Sequence, residues 1–402
     1  MREYTENQYE TNEPARRTGK RQSAYKKKIK TLWAILGIEV LFFCLLFIGY
    51  GIFYTNSKLD ELNYVELNEE ELSINEGLSV VTKEEYTTIA LFGIDARDVT
   101  TDAGNRCDTI IVASINNNTK EVRLMSVYRD TFMEFSNPSG DYNGCYTKVT
   151  HSYAFGGAKG AVATLNRNLD LQITDYVTVN FLSLADIVDN LGGITVNVDY
   201  DEMCSVNTWI PETAQIAGRS YRGLYETGDV TLDGLQAVTY CRIRNIGHGD
   251  IDRAERQREV LGAILDKAKQ SNLSTLNNIL DDVLPEISTS LTKQEILTLM
   301  AGVFDYQIAG NDGFPFVYHA SNYYDEIAGM DLSIVVPGDM KYNVELAHQF
   351  LYDAKLASVD NGTEATGEHE YSPSLTLQQI NDAILNKTGV YKPEDPEFRG
   401  EF

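Results

Sequence analysis

Arginine without lysine crowds one short stretch of this chain, Tyr240 to Gln257, YCRIRNIGHGDIDRAERQ. Arg242, Arg244, Arg253 and Arg256 fall inside it and Arg258 follows, in a protein whose formal charge is -25. A guanidinium is planar, permanently charged and forks onto two oxygens at once, so such a cluster suits phosphate or carboxylate held in fixed geometry. Its second half predicts a helix from about Asp250 to Lys269, with Val260, Leu261, Ile264, Leu265 and Ala268 as the apolar stripe. At about 100° per residue, Asp250, Arg253 and Gln257 share that stripe, whereas Asp252, Glu255 and Glu259 point away. Polar groups aimed at a core are either an Asp250–Arg253 pair capping a helix start or an inward-facing anion site. The arrival of Arg242 and Arg244 from the preceding segment favours the second.

Two further groups of charged residues converge on the same chemistry. The run from Asp108 to Asp130, DTIIVASINNNTKEVRLMSVYRD, predicts a hairpin turning at Asn116-Asn117-Asn118-Thr119, which brings Asp108 beside Tyr128 and Arg129 at the open end. The preceding strand, 87–93, leads into a loop with Asp95 and Arg97 that reaches the same end. Asp95 and Asp108 are hard oxygen ligands suited to magnesium, which takes one or two carboxylates and completes its shell with water and phosphate; either is equally explicable as a turn or strand-edge residue.

The elements that must position these groups alternate. Residues 157–169 predict a helix after Gly156-Gly157, 175–181 a strand, 182–191 a helix ended by Gly192-Gly193, and 194–198 a strand. That alternation predicts an α/β fold, an α/β/α sandwich around a mixed central sheet. Residues 201–232 read as a looser insertion with Trp209, Arg219, Tyr221, Arg222 and Tyr225, and 273–287, 292–304 and 343–354 as later helices, with strands near 314–320 and 332–339. No GxGxxG or GxxxxGK[ST] phosphate loop occurs, and five scattered histidines with no CxxC give no zinc site.

Residues 32–54, LWAILGIEVLFFCLLFIGYGIFY, form an apolar run with one ionisable group, Glu39, long enough to span a bilayer and without a clear cleavage site. Residues 1–30 carry nine lysines and arginines against four glutamates, so this tail is expected to stay cytoplasmic and everything after the anchor to lie outside. The expected organisation is a basic tail at 1–30, a single transmembrane helix at 31–54, an acidic stalk at 55–86, the α/β domain at 87–356 and a polar, mostly disordered tail at 357–402. An acidic exported part argues against a nucleic-acid partner. Cys107, Cys145, Cys204 and Cys241 lie where disulfides are permitted, and no spacing selects a pairing.

The ordered set GIDAR at 93–97, RCDTI at 106–110, SVYRDT at 126–131, KVTHSYAFGG at 148–157, DYVTVNF at 175–181, LGGITVNV at 191–198, YCRIR at 240–244 and DIDRAERQ at 250–257 resembles the LytR-CpsA-Psr family of bacterial envelope proteins. The resemblance implies a membrane-anchored phosphotransferase that moves a phosphate-linked glycopolymer, of teichoic acid or capsule type, from undecaprenyl pyrophosphate to a peptidoglycan hydroxyl. By resemblance, Asp95 and Asp108 would hold Mg2+ (or Mn2+), and Arg97, Arg106, Arg129, Arg242 and Arg244 would grip the pyrophosphate. Arg253 and Gln257 would line the head-group site, with Asp250 as the base. The chain departs from the family pattern at Tyr128, where proline is common, and at the cysteines flanking the motifs. A polyprenyl-pyrophosphate hydrolase and a non-catalytic polyprenyl-phosphate sensor are the alternatives.

Overall fold

A computed structural model describes residues 63–74, 85–94, 106–137, 140, 142–283, 286–325, 330–353 and 398–399. The basic tail, the expected anchor, the loop with Asp95 and Arg97, and almost all of the C-terminal tail lie outside these residues. Among the described residues no helix is long and apolar enough to cross a membrane. Contacts divide the chain into Met1–Asp60 and Glu61–Phe402, and all the described residues belong to the second unit.

Its centre is a seven-stranded mixed sheet. The strands are β1 (Asn63–Tyr64), β2 (Tyr86–Ile94), β3 (Cys107–Asn116), β4 (Glu121–Val127), β5 (Asp175–Asn180), β6 (Ser288–Thr289) and β7 (Gln307–Phe314), in the order β1-β6-β5-β2-β3-β4-β7. β2, β3 and β4 form an antiparallel meander, whereas β5 joins β2 and β7 joins β4 in parallel. Residues along β2 and β3 alternate between two buried faces, which is why both strands are apolar nearly throughout. Ala90, Phe92, Ile110 and Val112 pack under the helices Val149–Leu169 and Met340–Tyr352. Ile89, Ile111, Ala113 and Leu124 pack under Leu261 of the helix Asp250–Gln270 and Ile296 of the helix Lys293–Ala301. Helices therefore cover both faces of a mixed sheet.

A second layer backs the Asp250–Gln270 helix. The helices Phe181–Asn190, Tyr200–Ala217 and Gly234–Arg242 and the hairpin Ile194–Val198 with Gly228–Leu232 enclose their own core, and Val260, Ala263 and Ile264 enter it. The long helix is consequently sandwiched, with Leu261 on the sheet and Val260 on the outer layer.

The structure corrects three expectations. Residues 201–232 are not a loose insertion: Tyr200–Ala217 is helical through Pro211, and Asp199 and Glu202 close a reciprocal capping box at its start. The acidic stalk does not remain apart from the domain, because Asn63–Tyr64 pairs with Ser288–Thr289 and Leu72 is fully buried in the main core. The helix expected from Gly157 begins at Val149, and Gly157 is instead its kink, at φ 60 and ψ -161. Only glycine adopts that backbone without strain. In the C-terminal tail, Phe398–Arg399 pairs with Tyr318–His319.

Candidate active site

Three stretches distant in sequence meet at the Asp108 end of the β3–β4 hairpin. Asn116 closes that hairpin by accepting the backbone N–H groups of Asn118 and Thr119, and the register pairs Ile111 with Ser126. Extending that register to the open end sets Asp108 opposite Arg129, whose guanidinium donates to the Asp108 carboxylate. Arg129 also lies 3.4 Å from Asp130, whose carboxylate accepts from the Lys148 ammonium at 2.8 Å.

The third stretch enters at Gly249, in the positive-φ region at 65°, from which the Asp250–Gln270 helix starts. Its first turn directs Arg253 back to the hairpin: Nη2 donates to the Asp108 carbonyl at 2.8 Å and to Asp250 at 3.1 Å. Arg244 donates to the second oxygen of Asp108 at 2.8 Å and lies 3.4 Å from Asp250. One carboxylate, Asp108, thus holds two guanidiniums with a third at 3.8 Å, and Arg253 is only 3% exposed. The Nε atoms of Arg129 and Arg253 are buried without a hydrogen-bond acceptor, so both guanidiniums keep donor capacity inside the cluster.

Beside this cluster opens a cavity of about 310 Å3 lined by Asp108, Arg242, Arg244, Arg253 and Gln257 together with Phe181, Trp209 and Glu212. Arg242 lies over the Phe181 ring at 5.3 Å, and Gln257 donates to the Cys241 carbonyl at 3.3 Å. Of the expected residues, Arg129, Arg242, Arg244, Arg253, Gln257, Asp108 and Asp250 come together. Arg106 is exposed and does not line the cavity, and Asp95 and Arg97 lie outside the described residues.

Burial pushes the Asp250 carboxyl up from 3.8 to about 6, with Asp130 and Asp108 adding to the rise and Arg244 and Arg129 opposing it. A carboxyl so poised can accept a proton near neutrality and release it again. The thiols flanking the site behave otherwise. Cys107 and Cys241 are fully encased, burial raises both, Cys241 to about 12, and all four described cysteines are free.

Among the described residues no three His, Cys, Asp or Glu side chains gather for a metal. Asp108, the described member of the expected magnesium pair, has its two oxygens taken by Arg129 and Arg244. Sequence reading overlooked Asp130 and Lys148, although both sit inside quoted motifs.

A mixed sheet between helical layers, with guanidiniums and carboxylates interlocked at one strand end beside a cavity, defines a helix-covered α/β protein. The chain belongs to the LytR_cpsA_psr family, whose model matches residues 50–310. It is 28% identical over 280 residues to the polyisoprenyl-teichoic acid–peptidoglycan teichoic acid transferase TagU of Bacillus licheniformis, covering 69% of this chain and 83% of that protein. The protein of the same name from Enterococcus faecalis is 30% identical over 286 residues, covering 70% and 85%. Among solved structures, the LytR-CPS2A-psr family protein YwtF (TagT) with bound octaprenyl pyrophosphate lipid shares the fold, with a TM-score of 0.50, 23% identity and coverage of 72% and 99%.

Proposed function

We propose that this protein is a membrane-anchored phosphotransferase that moves a phosphate-linked glycopolymer from a polyprenyl pyrophosphate to a hydroxyl of peptidoglycan. The observation that carries the reading is the shared grip on Asp108: Arg129, Arg244 and Arg253 already converge on one carboxylate, the arrangement that a diphosphate requires. The named activity of the TagU relatives and the pyrophosphate lipid in the TagT structure support the same substrate class.

In this reading the diphosphate takes over the forks of Arg129, Arg242, Arg244 and Arg253, and Asp108 and Asp95 would be the residues to hold Mg2+ or Mn2+. When bound, the ion supplies charge neutralisation on the phosphate oxygens. The acceptor hydroxyl gives its proton to Asp250, its oxygen bonds to the glycopolymer-side phosphorus, and the bridging P–O bond breaks to release polyprenyl phosphate. The guanidiniums offset the negative charge that grows on the leaving phosphate, and Gln257 lines the pocket beside it. Anchoring through residues 31–54 with the domain outside the membrane would keep enzyme and lipid donor on one surface, raising their effective concentration.

The test is transfer of labelled glycopolymer to peptidoglycan by the purified full chain with magnesium. Arg129→Ala and Arg242→Ala are expected to lose it while retaining a cooperative melt. Persistent transfer in both variants removes the arginine grip from the mechanism, and label released only as free product identifies water as the acceptor.

A further inference from the structure

Tyr128, the position at which the chain departs from the family pattern, is not one of the charged groups of the pocket, yet it packs between the two segments that carry them. It is 8% exposed and shares a buried cluster with Ala254 and Tyr318, against which Ile251 and Val335 pack. Arg129 follows Tyr128 in the chain, and Asp250 and Arg253 each stand one residue before a helix member of that cluster, Ile251 or Ala254. A single ring thus spans the gap between the strand end that leads into Arg129 and the helix turn that carries Asp250 and Arg253.

The ring is held from behind and its backbone from two sides. The Tyr318 ring meets it edge-on, with centroids 6.1 Å apart. At Gly313 of β7 a Cβ would sit 2.1 Å from the Tyr128 Oη and 2.5 Å from its Cζ, so the missing side chain there is what leaves the ring room. The Tyr128 N–H donates to the Phe314 carbonyl at 3.0 Å. The Tyr128 carbonyl accepts the Thr131 N–H at 2.8 Å, closing a turn that contains Arg129 and Asp130. An interior packed this closely transmits a displacement instead of absorbing it.

We propose that Tyr128 is a positioning residue for the pocket: its ring is the spacer that holds the Arg129 turn and the start of the Asp250–Gln270 helix at the separation where their guanidiniums meet one anion. The proposal rests on the reading of the pocket as a diphosphate site. The packing contacts belong to the ring, so Tyr128→Phe keeps the spacer and Tyr128→Ala removes it.

The test is calorimetric titration of the purified full chain with inorganic pyrophosphate, paired with the transfer assay, at a temperature where each variant is folded. Tyr128→Ala is expected to weaken pyrophosphate binding and to lower kcat at saturating donor, each by about tenfold, the scale of loss that a small misplacement brings. Tyr128→Phe should stay within about twofold of wild type in both. A merely structural ring would lower the melting temperature and leave both quantities unchanged per folded molecule. Gly313→Ala pushes the ring from behind and alters no group of the pocket. It should weaken binding by about threefold in the wild type and change nothing further in the Tyr128→Ala background, the coupling expected of groups in contact. Should Tyr128→Ala not fold, Gly313→Ala alone decides. Unchanged affinity and kcat in Tyr128→Ala, a Tyr128→Phe variant as impaired as Tyr128→Ala, or full affinity in Gly313→Ala would each overturn the positioning role and leave the diphosphate reading standing. A wild type that binds no pyrophosphate overturns that reading, and the role with it.

Discussion

Arg253 and Arg256 stand one turn apart on the same helix, both almost completely buried, and do opposite work. Arg256 donates to Glu202 at 2.7 Å and to the Ile243 carbonyl at 3.3 Å, and it lies over the Tyr240 ring, a closed set that ties the helix to the Tyr200–Ala217 layer. Arg253 shares Asp108 and Asp250 with Arg129 and Arg244, and its partners line or border an open cavity. Burial and residue type are the same in both; they differ in that Asp108, the partner of Arg253, also takes Arg129 and Arg244 and lines the cavity, whereas Glu202 does not.

Substitutions can break or sharpen that contrast. The largest effect is expected for Arg253→Lys, which keeps the charge and loses the fork: transfer should fall by roughly 100-fold or more with little change in melting. If transfer survives, the shared grip is not the binding element. Asp250→Asn should also lower transfer strongly, by on the order of 100-fold, yet stabilise the fold.

Protonation sets the direction of that stabilisation. The folded-state value of about 6 lies above the ordinary 3.8, so between these values the folded chain binds the proton more tightly than the unfolded one. The contribution of Asp250 to stability is thus complete at low pH and is lost as pH rises through about 6, by on the order of 3 kcal/mol. Melting of wild type and Asp250→Asn at pH 4 and pH 8 measures it. The wild-type rate of transfer should rise through pH 6 as the carboxylate ionises, and a flat profile would remove Asp250 as the base.

Arg256→Ala, by contrast, takes the cation from a half-buried Glu202 that keeps only its Asp199 and Tyr240 hydrogen bonds, with an expected loss of about 3 kcal/mol in denaturant melts. Transfer per folded molecule should change less than tenfold. Smallest of all, Glu259→Gln should cost about 1 kcal/mol, because Glu259 accepts from the Tyr240 hydroxyl at 2.9 Å and glutamine can still accept.

The legible parts of the sequence were those with a local geometric rule. The asparagine turn of the hairpin fixed the encounter of Asp108 with Arg129, and helical periodicity turned Asp250, Arg253 and Gln257 inward. The same periodicity failed for Arg256, Arg258 and Glu259. It assumes one buried face, and this helix has two, since Val260 enters the outer layer while Leu261 meets the sheet. The Tyr200–Ala217 helix was missed because Pro211 and polar residues masked it, although the capping-box spacing of Asp199 and Glu202 was present to be read. That the lead-in at 63–74 joins the sheet depends on pairing with residues more than two hundred positions later, which no local pattern encodes.

One strand carries an implication for how the protein can be dissected. β7 runs parallel to β4 with one register shift between Ile308 and Gly310, and the Phe314 carbonyl accepts the Tyr128 N–H at 3.0 Å, immediately before Arg129. A chain trimmed at residue 310, where the family match stops, would retain every charged group of the pocket and strip the scaffold from beside one of them. The bared border of β4 would also offer itself to other molecules for sheet extension. The smallest faithful fragment therefore reaches past residue 310.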